Sequence, residues 1–130
     1  MNKNKKERFT NRIINANRTE LIVILYEMCF EYMAEDDISK SQQIIRRLES
    51  DLNFDYELSY QLFNIYTYAE RELVKYNIDL NPAHITNTKR ILTPLYEAFL
   101  EISKQDKSKP LLNPEPIITT TYTNEAQLLN

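Results

Sequence analysis

The side chains best suited to chemistry are few. The chain has one histidine, His84, and one cysteine, Cys29. No second histidine or cysteine stands at ligand spacing from either, which argues against a zinc site. Cys29 sits among apolar residues with Glu27 and Glu31 nearby. A reactive thiol needs an electropositive, partly exposed setting, so Cys29 reads as an inert core thiol. His84 falls in the first turn of a helix and reads as solvated or capping. Glu27, Glu31 and Glu35 follow one another at helical spacing and read as a wet acidic face. A di-iron site of the bundle type would need a Glu-x-x-His pair on each of two helices, and one histidine cannot supply two. The chain has no glycine, which excludes Walker loops and dinucleotide fingerprints. These residues support neither nucleophilic nor acid–base catalysis. The expectation is a non-enzyme without metal or cofactor.

What remains to do work is apolar surface, and helices must position it. The chain has 130 residues, 42% of them hydrophobic, one domain's worth. No run of 18 apolar residues appears, so no membrane span is expected. The lone cysteine suits a reducing, cytoplasmic setting. A short helix is expected over residues 9–16, after a disordered start over residues 1–8. Asn17 with Glu20 three residues on makes a capping box. Leu21, Leu25, Met28 and Tyr32, with a second row at Ile22, Tyr26, Cys29 and Met33, then mark a helix that is apolar nearly all round. Asp36 or Asp37 caps a third helix to about Leu52. After the Asn53–Asp55 turn, a long helix runs to about Asn77, with Leu58, Leu62, Ile65, Ala69, Leu73 and Tyr76 as its stripe. Tyr60, Phe63, Tyr66 and Tyr68 lie off that stripe. Asn81 and Pro82 open a last helix that continues, bent, through Pro94.

This pattern predicts an all-α protein: an antiparallel up-and-down four-helix bundle over residues 16–103. A basic flexible arm or short helix precedes it (1–15), and a proline-containing extended tail follows (104–130). Residues 1–18 carry six basic side chains against Glu7, and residues 19–37 carry six acids and no base. The arm reads as a solvated terminus, and the acidic remainder argues against nucleic-acid binding. The tail holds Leu111, Leu112, Ile117, Ile118, Tyr122, Leu128 and Leu129. They are candidates to occupy a groove on the bundle. Only Ile117 to Tyr122 leans towards strand.

Apolar patches and grooves between helices are where an amphipathic partner docks. The expected contacts are Leu21, Ile24, Leu25, Met28, Leu62, Tyr66 and Ala69, with Asn77 as a polar anchor. Helical spacing assigns the same residues equally well to a core or to a dimer interface.

Several segments, taken in order, resemble the flagellin export chaperone family FliS. They are Ala16-Asn17-Arg18-Thr19-Glu20-Leu21-Ile22-Val23-Ile24-Leu25-Tyr26, Ile44-Ile45-Arg46-Arg47-Leu48 with Leu52, Leu62-Phe63-Asn64-Ile65-Tyr66-Thr67-Tyr68, Arg71-Glu72-Leu73 with Asn77, and Leu95 with Ala98-Phe99. The similarity spans about residues 16–102. It implies a cytoplasmic bundle that binds the disordered C-terminal segment of flagellin, prevents premature polymerisation and delivers the subunit for export. An export component and a second copy are further possible partners. The sequence departs from the family pattern in its short link between the first two long helices, its basic arm in place of a Pro-Tyr-x-x-Tyr cap, Pro94 and the tail. The alternative is a helical interaction or dimerisation module outside motility.

Overall fold

The computed structural model describes residues 1–112 and 128–129. The expectations placed on Pro114, Pro116, Ile117, Ile118 and Tyr122 lie outside the described residues. Five helices follow one another: α1 (Lys3–Asn15), α2 (Arg18–Ala34), α3 (Ile38–Ser50), α4 (Glu57–Asp79) and α5 (Ala83–Gln105). No strand occurs among the described residues. The fold is therefore all-helical. Helix α2 packs on α3 and α5, and α4 packs on the same two, so the four helices close a ring; α1 packs on α2.

The sequence signals act where they stand. Asn17 accepts the Glu20 N–H at 2.9 Å, and Glu20 accepts the Asn17 N–H at 3.3 Å, which completes the capping box. Asp37 caps α3 through the Lys40 N–H. Asn53 folds the next turn by accepting the Asp55 N–H. Asn81 accepts the Ala83 N–H, one position later than a cap followed by proline at the first helical residue. Helix α5 continues through Pro94, although proline removes the hydrogen bond to the Arg90 carbonyl. Because the chain lacks glycine, side-chain-bearing residues take positive φ, two of them among the described residues: Asp36 (60°) after α2 and Leu80 (57°) after α4.

The N-terminal expectation needs correction. Residues 1–8 are not a disordered arm, since α1 begins at Lys3 with Asn2 as its cap. The cause is electrostatic. The Met1 amino group meets Glu35 at 2.6 Å, Lys5 pairs with Glu31, and Arg12 grips Glu27 with two hydrogen bonds of 2.7 and 3.1 Å. The acidic row and the basic arm, read separately as solvated, are two sides of one antiparallel α1–α2 contact.

Candidate functional site

Helix α2 is the hub of the molecule. Leu21, Ile24, Leu25, Met28, Tyr26 and Cys29 are all buried. The structure places seven of the eight expected contact residues in the interior: Leu21, Ile24, Leu25 and Met28 on α2, and Leu62, Tyr66 and Ala69 on α4. The eighth, Asn77, is exposed near the end of α4. Periodicity marks apolar faces, but it carries no information about what covers them. Here α2 is covered by α1, α3, α5 and, among the residues after α5, by Ser108, Leu111, Leu128 and Leu129, and Tyr66 reaches inward to Tyr26.

That last covering forms a seam with a definite chemistry. Asn17, itself buried, donates from its amide to the carbonyls of Asp106 (3.4 Å) and Ser108 (3.3 Å). Thr19 donates its hydroxyl to the Asp106 carboxylate at 2.7 Å. The Leu111 N–H donates to the Ala16 carbonyl at 2.9 Å. Leu111 lines a cavity of about 90 Å³ together with Arg18, Leu21, Ile22, Leu25, Arg47 and Asp51. At the other end of α2, Tyr32 donates to the Leu128 carbonyl at 2.8 Å, and Leu129, 3% exposed, joins the core cluster. The bundle thus holds apolar side chains while its polar groups address mostly peptide backbone. Sequence reading used Asn17 only as a cap and missed Tyr32 as a backbone donor. No spacing signal marks either role.

A second apolar surface is open. On the outer side of α4, Tyr60 (57% exposed), Phe63, Val74 and Ile78 (79% exposed) recur at helical spacing over roughly 27 Å. Phe54 meets the first two at a tilt and edge-on, with ring centroids 5.0 and 5.8 Å away. The expectation that Tyr60, Phe63 and Tyr68 stand off the core stripe matches their exposure, whereas Tyr66 is buried.

The titratable groups are structural in their placement. Burial pushes the Cys29 thiol up to about 12, far from a reactive thiolate. His84 is neither solvated nor a cap. Its Nδ1 meets Glu72 Oε2 at 2.6 Å and its Nε2 meets Asp79 Oδ2 at 2.9 Å. Two carboxylate acceptors require both ring nitrogens to donate. Asp79, then Glu72, therefore hold the imidazole above its ordinary value of 6.5, and His84 in turn lowers Glu72. Among the described residues, no group of three or more His, Cys, Asp or Glu is placed to hold a metal ion, and no helix is long and apolar enough to cross a membrane.

A helical scaffold with an apolar seam and a bare apolar row has the attributes of a binding protein. A family model described as flagellar protein FliS matches residues 1–106, and the chain belongs to that family. FliS is a chaperone family, not an enzyme family, and membership supports a flagellar export chaperone role. Comparison with curated proteins and with solved structures gave no match.

Proposed function

We propose that this protein is a cytoplasmic export chaperone that binds the C-terminal segment of flagellin, hides its apolar face from premature polymerisation and passes the subunit to the export machinery. The ring of α2 to α5, joined by short connections, is then an antiparallel four-helix bundle that serves as a rigid platform. The observation that carries the reading is the α2 seam, where Asn17 and Tyr32 bond backbone carbonyls while Leu111 packs against the core and lines one cavity with Leu21, Ile22 and Leu25. A disordered client offers the same two things, free backbone and apolar side chains, and needs both satisfied until release. Leu21, Leu25 and their buried neighbours act in this account by shaping the seam from beneath.

Calorimetric titration of the full chain with a synthetic flagellin C-terminal peptide tests the reading. Saturable binding at micromolar or lower concentration is expected. No binding up to about 100 μM, weaker than roughly −5.5 kcal/mol, would remove it.

The bare α4 row favours a second reading, docking of a second copy or of an export component on Phe54, Tyr60, Phe63, Val74 and Ile78. Sedimentation of the wild-type chain against Phe63→Ser/Ile78→Ser separates these cases. A dimer that the variant dissolves supports self-association. A monomer in both leaves the row to another protein.

A further inference from the structure

We infer that Glu49 on α3 and Glu70 on α4 form a clasp that shares one proton, and that loss of this proton loosens α3 from α4. The clasp lies outside the α2 seam and does not depend on the chaperone reading. Helices α3 and α4 pack on each other. Across that interface the Glu49 and Glu70 carboxyl groups come within hydrogen-bonding reach, and both residues are half-buried. Glu70 Oε1 is enclosed, and among the described residues it meets no hydrogen-bond donor. An ionised carboxylate offers only acceptors. With both groups ionised, that oxygen is left orphaned beside a like charge. One proton removes both penalties, because a neutral carboxyl donates and an O–H bond to a carboxylate is among the stronger hydrogen bonds.

The neighbours leave the conflict in place. On α3, Arg46 stands one turn before Glu49 and favours its ionised form, but less strongly than burial and Glu70 oppose it. On α4, Tyr66 stands one turn before Glu70, and its hydroxyl is engaged by Tyr26 of α2. Burial first, then the hydrogen bond and charge of Glu70, push Glu49 up to about 7. The folded chain therefore holds this proton more tightly than the unfolded chain. The contribution is complete below the ordinary glutamate value of 4.5 and is lost as pH rises from there to about 7. Above that, two like charges push the last turn of α3 away from the middle of α4. His84 acts at the α4–α5 corner, so substitutions separate the two groups.

Carbon-13 NMR of the glutamate carboxyl carbons in the full chain tests the clasp. One carboxyl should titrate near pH 7. That transition should vanish in Glu49→Gln and fall by at least about one pH unit in Glu70→Gln, whose amide donates to the Glu49 carboxylate. A wild-type chain in which every glutamate titrates below about pH 5.5, in the ordinary range, overturns the inference. So does a transition that survives Glu49→Gln or keeps its midpoint in Glu70→Gln. Amide exchange, corrected for its intrinsic pH dependence, tests the loosening. Protection of residues 44–50 should fall at least about threefold between about pH 6 and about pH 8 in wild type, and should hold in Glu49→Gln, whose amide donates to Glu70 at every pH. Equal loss in the two chains, or loss in neither, overturns the switch. Should a Gln variant fold poorly, the wild-type chain decides. A near-neutral glutamate transition that coincides with lost protection of residues 44–50 supports the clasp, and a transition without that loss overturns it.

Discussion

The hydroxyls of Tyr26 and Tyr66 meet at 2.7 Å inside the bundle, joining the middle of α2 to the middle of α4 across the ring. Both rings are buried, and Tyr26 also lies against Tyr96 and Phe99 at centroid distances of 6.4 and 5.9 Å. Each phenol is the other's hydrogen-bond partner in an apolar setting. Tyr26→Phe or Tyr66→Phe leaves one buried hydroxyl orphaned and should cost about 1–3 kcal/mol in urea unfolding. The double variant should cost clearly less than the sum of the singles. Simple additivity would mean that the two groups act independently.

Helix α1 is attached to α2 largely through charge. The Met1 amino group, Lys5 and Arg12 pair with Glu35, Glu31 and Glu27, and Tyr96 adds a hydrogen bond to Glu27 at 3.1 Å. Partly exposed pairs of this kind contribute about 0–1 kcal/mol each and weaken as the screening length falls to about 3 Å at 1 M salt. High salt, or Glu27→Lys/Glu31→Lys, should speed amide exchange through residues 3–15 while α2 to α5 stay protected. Equal protection of α1 in low and high salt would show that Phe9 and Ile13 hold it by apolar packing instead.

His84 gives stability a pH dependence of known sign. Its folded pKa lies above the ordinary histidine value of 6.5, so its contribution is complete below that value and is lost as pH rises through the raised one. Asp79, lowered first by the Asn81 N–H and then by His84, contributes above its ordinary value of 3.8 and is lost in acid. The melting temperature should therefore fall on the alkaline side, and His84→Gln should flatten that limb. A wild-type and a variant curve of the same shape would remove His84 as the cause.

Substitutions should separate core from surface. Leu25→Ala or Met28→Ala removes buried side chains and should cost about 2–5 kcal/mol. Phe63→Ser and Ile78→Ser lie on the bare α4 row and should change stability by no more than about 0.5 kcal/mol each. Any loss of binding in the first pair must be judged after folding is checked, and in the second pair it reports contact directly.

Local signals made most of the helices legible. The Asn17–Glu20 box, the Asp37 cap and the stripes of α2 to α5 depend on residues three or four apart, so sequence displays them. What was hidden depends on residues far apart. The acids at 27, 31 and 35 and the bases at 5 and 12 each resemble a wet face until α1 folds back. His84 meets Glu72 only because the α4–α5 corner brings them together. The seam needs Tyr32 and Leu128, separated by most of the chain. The same limit leaves Leu21, Ile24, Leu25, Met28, Leu62, Tyr66 and Ala69 undecided between core and contact surface in the sequence, since a greasy face looks identical whatever covers it.

A chain with no glycine has no freely swivelling joint. Asp36 and Leu80 hold left-handed conformations that cost a side-chain-bearing residue roughly 1–2 kcal/mol, and both corners are braced, Asp36 by the Tyr76 hydroxyl at 2.7 Å and Leu80 by the Tyr76 carbonyl at 2.8 Å. Splaying the long helices apart would break these stiff corners. On the proposed chaperone reading, a guest is then expected to settle on the outside of a scaffold whose corners keep one shape whether loaded or empty.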